Sequence, residues 1–102
     1  TPMHAGAGSE EFRDWVLQQW MNKLQQFNPQ LILISAGFDA HHSDPLADIY
    51  LDERDYYWLT CELKQLAEHC CDGKIVSSLE GGYHLEALAR SVYQHIRVLS
   101  GV

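Results

Sequence analysis

Residues 31–46 read Leu31-Ile32-Leu33-Ile34-Ser35-Ala36-Gly37-Phe38-Asp39-Ala40-His41-His42-Ser43-Asp44-Pro45-Leu46. The first six form a short, continuous apolar run rich in β-formers. Such a run suits a strand covered on both faces, as in a parallel sheet. The chain then changes character, with a glycine, a carboxylate, two imidazoles and an Asp-Pro turn signal, so residues 37–51 read as a long loop. A second run of the same kind, Ile75-Val76-Ser77-Ser78-Leu79, leads into Glu80-Gly81-Gly82-Tyr83-His84.

Helical periodicity fills the space around these runs. Tyr56, Leu59, Leu63, Leu66, Ala67 and Cys70 recur at helical spacing behind Asp52 as N-cap, and Asp72-Gly73 supplies a stop. The spacing predicts a helix over about 53–71. Upstream, Ser9 reads as an N-cap with Glu10 and Glu11 in the first turn. Phe12, Val16, Trp20, Leu24 and Phe27 then form a stripe over 10–27 that Asn28-Pro29 closes. Leu85, Leu88, Ala89, Val92, Ile96 and Leu99 mark a last helix over 85–99.

The order is α-β-loop-α-β-loop-α, an α/β class. A strand, a crossover helix and a second strand make a right-handed βαβ unit with parallel strands. The loops at 37–51 and 80–84 therefore leave from one carboxyl edge of the sheet, where open α/β folds place their ligands. Two strands are too few for an independent parallel sheet, and their edges would carry unpaired backbone groups beside apolar side chains. The pattern reads as part of a larger sheet, or as one completed by a second copy. Thr1 stands where an initiator Met would, which fits a chain cut from a longer reading frame.

Composition narrows the function classes. A net charge of -7 argues against a nucleic-acid or anionic-membrane surface, which needs a Lys/Arg excess. No apolar run approaches the roughly 20 residues that span a bilayer, and no signal peptide opens the chain. Three cysteines, two of them adjacent (Cys70 and Cys71), fit free thiols in a reducing cytoplasmic setting.

Two stretches can carry chemistry. Asp39 and His41, just beyond the first strand, are donor types that suit a divalent metal such as zinc, but two ligands do not complete a tetrahedral site. Asp39 reads equally well as a loop cap, His41 and His42 as exposed or loop-packed rings, and Asp44-Pro45 as a turn device. Gly81-Gly82 delivers the Tyr83 phenol to the same edge, where it can donate a hydrogen bond to an oxyanion forming on a carbonyl. The bland alternative is a tyrosine packed over the last helix. His69, Cys70, Cys71 and Asp72 point around their helix and cannot converge on one ion. Glu53, Asp55 and Glu62 read as a solvated helix face, and Trp15, Trp20 and Trp58 as core or interface anchors.

Ser35-Ala36-Gly37-Phe38-Asp39-Ala40-His41 with Asp44-Pro45-Leu46, followed about forty residues later by Leu79-Glu80-Gly81-Gly82-Tyr83, resembles the histone deacetylase and acetylpolyamine amidohydrolase superfamily, nearest its class II and bacterial branch. The resemblance runs over nearly the whole chain. It implies an arginase-like α/β fold of which residues 1–102 form the C-terminal portion, with zinc at the carboxyl edge of the sheet. By motif position Asp39 matches a zinc ligand and Tyr83 the tyrosine that helps zinc polarise the amide carbonyl. Gly81 and Gly82, with Phe38, match the substrate pocket, and His41 is not carried over as a ligand. The family's Asp-x-His ligands and its His-His general base lie upstream of anything in this chain. The resemblance therefore implies a truncated deacetylase, inactive as this chain alone, whose parent hydrolyses acetyl-lysine or acetyl-polyamine amides and whose zinc is not tightly held here. The rival expectation is a non-catalytic oligomerising or binding module derived from that fold; in either case the open strand edges predict a homo-oligomer.

Overall fold

Alternation along the two apolar runs decides which side of the sheet the helices take. The structure, a computed structural model, describes residues 3–44 and 49–101. Strand β1 (Ile32–Ala36) and strand β2 (Ile75–Leu79) pair in parallel, Ile32 opposite Ile75 through Ala36 opposite Leu79. Ile32 and Ile34 point to one face and pack against buried residues from the flanking helices, among them Phe12, Val16, Tyr56 and Leu66. Leu33 and Ser35, with their partners Val76 and Ser78, point the other way and are exposed, Leu33 by 72%. The runs were expected to be covered on both faces. Among the described residues one face is covered, because all the helices that meet Ile32 and Ile34 lie on that side.

The first helix runs from Ser9 to Phe27 in three parts: α1 (Ser9–Trp15), a π-helical segment (Val16–Met21) and α2 (Asn22–Phe27). The wider turn changes which residues face inward. Phe12 and Val16 are buried as expected, but the next buried residue is Met21, five positions after Val16, the spacing of a π-turn. Trp20 and Leu24 are half-buried against the core, and Phe27 is exposed. Ser9 does not act as the expected N-cap. Gly8 holds that position, and the Ser9 hydroxyl donates instead to Asp55 Oδ2 at 2.5 Å. Asn28 ends the helix in the left-handed region, which asparagine tolerates.

Helix α3 (Glu53–Cys71) occupies the predicted span. Asp52 caps it, and Asp55 accepts the Asp52 N–H in return. Asp55 is wholly buried and also accepts from Arg13 Nε at 3.1 Å, so it is no part of a solvated face. Glu53 is likewise paired, with His41 and Arg90.

Helix α4 (Leu85–Ser100) is rotated relative to its apolar pattern. Its buried residues are Ala87, Ser91, His95 and Val98, while Leu85 and Ile96 are exposed. The reason lies in the helix pair: small Ala87 and Ser91 admit close packing, and His95 is anchored between two elements. Thr60 Oγ1 donates to Tyr56 O at 2.6 Å and accepts from His95 Nδ1 at 2.8 Å, while Ser77 Oγ donates to His95 Nε2 at 2.8 Å. Among the described residues, no helix is long and apolar enough to cross a membrane.

Candidate functional site

The backbone ladder continues past the strands and joins the two loops that follow them. Glu80 N–H donates to Ala36 O at 2.9 Å, and Phe38 N–H donates to Gly81 O at 2.8 Å. Residues 37–39 and 80–83 therefore leave the sheet side by side, as the parallel βαβ order requires. Gly81 marks the meeting point. A Cβ built there would lie 3.5 Å from the Asp39 carboxyl carbon and Oδ2 and 3.7 Å from Tyr83 Oη. The Asp39 carboxylate and the Tyr83 phenol thus border one spot on one rim. Tyr83 is 55% exposed and Asp39 is half-buried.

The two glycines differ in surroundings. Gly81 borders the carboxylate and the phenol, whereas Gly82 turns inward at φ 132°, where a Cβ would sit 2.8 Å from Leu88 Cδ1 and 3.2 Å from Phe38 Cβ. Phe38 does not line the rim as the pocket assignment expects. It is 3% exposed, with its ring edge-on to Tyr56 at 4.9 Å and to His95 at 5.7 Å, so apolar packing draws it into the core beneath the loop. Tyr56 supports the loop from the same layer. Burial, with the Asp39 carboxylate next in effect, pushes its phenol above the ordinary range.

His41 is fully buried and occupied on both ring nitrogens. Ser43 N–H donates to Nδ1 at 3.1 Å, and Nε2–H donates to Glu53 Oε2 at 2.8 Å. The hydrogen bond from His41, before any other cause, holds the Glu53 carboxyl below its ordinary range. His42 stacks on His41 at 4.5 Å and is exposed. The pair holds the loop, whose far end returns through Leu51 N–H to Ala40 O and His42 N–H to Leu51 O. Of the Asp44-Pro45-Leu46 motif, Pro45 and Leu46 lie outside the described residues. Asp44 is buried, and its Oδ2 accepts the Tyr83 N–H at 2.7 Å, linking the two loops. Reading it as a turn device misses this. The available signal is the Gly81-Gly82-Tyr83 segment itself, whose backbone N–H groups need acceptors that a five-residue strand does not supply.

Comparison with known proteins agrees with this fold. The histone deacetylase domain family matches residues 1–99. Type-2 histone deacetylase 2 of Dictyostelium discoideum is 47% identical over 90 residues, covering 81% of this chain and 5% of that protein. Histone deacetylase 14, chloroplastic, of Arabidopsis thaliana is 41% identical over 100 residues, covering 98% of this chain and 24% of that one. The crystal structure of the HDA15 HD domain superimposes with a TM-score of 0.87 at 33% identity, over 96% of this chain and 26% of that one. The chain belongs to the histone deacetylase domain family, and it carries a partial α/β deacetylase fold. It spans 26% of the HDA15 HD domain chain and smaller shares of the other two relatives.

Membership implies zinc as the family's cofactor. The Asp39 carboxylate lies at the rim, while His41, the nearest imidazole in sequence, has both ring nitrogens occupied. Among the described residues no three His, Cys, Asp or Glu side chains gather as a metal-binding group. A single carboxylate does not fit zinc, which takes three or four protein ligands, so a complete shell needs donors beyond the described residues.

Proposed function

We propose that this chain is the C-terminal portion of a zinc-dependent deacetylase of class II type, which hydrolyses an acetyl-lysine or acetyl-polyamine amide. Asp39 is the zinc ligand it contributes and Tyr83 the hydrogen-bond donor to the developing oxyanion. The observation that carries the reading is the approach of the Asp39 carboxylate and Tyr83 hydroxyl to one point beside Gly81. When bound, zinc supplies Lewis acidity and activates water. This chain's share is narrower. The Tyr83 hydroxyl, exposed at the rim, donates to the substrate oxygen as charge builds there, which selectively lowers the barrier. The acidic balance of the chain suits a cationic substrate tail.

Alone, the chain is expected to be inactive in a zinc-supplemented assay with a fluorogenic acetyl-lysine substrate. The positive test joins residues 1–99 to the remaining three quarters of a deacetylase relative in place of its own matching segment. Turnover is expected, and Tyr83→Phe should lower kcat by about 100- to 1,000-fold, the usual effect of losing one oxyanion donor. An active joined protein indifferent to Tyr83→Phe would refute the assigned role.

A second reading, a non-catalytic oligomerising module, is favoured by the exposed apolar residues Leu33 and Val76 on the sheet and Leu85, Tyr93 and Ile96 on α4. On either reading we propose that the chain self-associates and works in a reducing, cytoplasmic setting in which Cys61, Cys70 and Cys71 stay free.

A further inference from the structure

We infer that Asp44 is a positioning residue whose buried carboxylate, by gripping the Tyr83 amide, holds the phenol beside Asp39. The purpose assigned to this contact rests on the deacetylase reading; the contact itself does not.

The need for such a grip follows from the local backbone. The ladder between the loops ends where Phe38 N–H meets Gly81 O. Gly82 comes next, in a conformation open to glycine, and two glycines in succession leave the following segment free to swing. The Tyr83 ring does little to fix itself, since the residue is 55% exposed. Side-chain packing therefore does not set where the phenol points; the backbone at Tyr83 does. The next anchor along the chain is His84, whose Nδ1 accepts the Ala87 N–H at the start of α4. Between the ladder and that cap, Asp44 Oδ2 holds the Tyr83 N–H at 2.7 Å.

Asp44 is a firm base for this contact. It is 6% exposed, and its own N–H donates to His41 O at 2.9 Å. His41 is in turn locked through Glu53 to the first turn of α3, and Glu53 is paired with Arg90 on α4. A buried carboxylate is costly unless it is hydrogen-bonded, and a bond from a backbone N–H to an ionised acceptor is about twice as strong as a neutral one. The contact joins residues 39 positions apart, so it fixes one loop against the other rather than closing a turn within either.

Amide hydrogen exchange on the purified, isotope-labelled chain tests this. Asp44→Ala should speed exchange at the Tyr83 amide by about tenfold or more and move the Tyr83 hydroxyl away from its place beside Gly81. The Ile32 and Glu80 amides of the ladder should keep their protection. Asp44→Asn retains a carbonyl acceptor and should hold the Tyr83 amide within about threefold of the parent. An Asp44→Ala chain with an unchanged Tyr83 amide would overturn the inference. If Asp44→Ala unfolds, shown by loss of protection at Ile32 and Glu80, the Asn variant decides. A folded Asn variant with a freely exchanging Tyr83 amide sinks the idea; a protected one supports it. Failure of the deacetylase reading would appear elsewhere, as an inactive joined protein, and would leave these exchange rates untouched.

Discussion

Gly82 is the residue at which the rim has least latitude. Its φ of 132° lies where side chains are strained, and the space a Cβ would take is held by Leu88 and Phe38. Gly82→Ala therefore adds backbone strain to a clash with two half-buried or buried neighbours. We expect a loss of about 1–3 kcal/mol in urea denaturation, with a shift of the Phe38 ring that near-ultraviolet spectra or chemical shifts would register. An unchanged midpoint would show that this segment relaxes freely. Gly81 makes a useful contrast, since a Cβ there meets Asp39 and Tyr83 at ordinary contact distances, so alanine at 81 should disturb the rim more than the fold.

At the scale of elements, two buried polar groups staple the helices together. Asp55 joins the start of the first helix, through Ser9 and Arg13, to the first turn of α3. Asp55→Ala strips three donors of their acceptor and should cost about 2–4 kcal/mol by urea denaturation, more than any exposed carboxylate change. His95 joins α4 to α3 and β2, and burial lowers its pKa below the ordinary 6.5. The folded chain thus binds this proton less tightly than the unfolded chain. Stability from His95 is complete above about pH 6.5 and is lost as pH falls through that value towards the folded one. Glu53, held below 4.5 chiefly by His41, adds a loss of the same sign at lower pH. His4, raised first by its bond to Ala5 O and then by Glu11, opposes them, but its ring is exposed and screened. The urea midpoint should drop between about pH 7.5 and 5.5, and His95→Gln should flatten that drop. These staples also explain what was legible. The β1 and β2 runs, the α3 span with its Asp52 cap, and the shared rim for Asp39 and Tyr83 follow from local pattern and βαβ handedness. The burial of Asp55, the rotation of α4 around His95 and the π-turn that exchanges Trp20 for Met21 depend on partners distant in sequence. No local period encodes them, and Asp44 escaped for the same reason.

For the whole molecule, the uncovered side of the sheet is the dominant fact. Leu33 and Val76 face outward on neighbouring strands, and α4 shows Leu85, Tyr93 and Ile96. Apolar surface of this kind is ordinarily covered. Sedimentation at high micromolar concentration should show association that Leu33→Lys with Val76→Lys weakens; a monodisperse parent chain would count against it. The ladder that runs on through Glu80 and Phe38 has a mechanical corollary. The two lips of the rim are stitched together at the sheet's carboxyl end, so a molecule wedged between them would have to unzip backbone bonds before the gap widened. At the opposite end Ile32 N–H donates to Lys74 O beside the Asp72-Gly73 turn. Heat or denaturant should fray that hem first, leaving the lips closed until the core itself gives way.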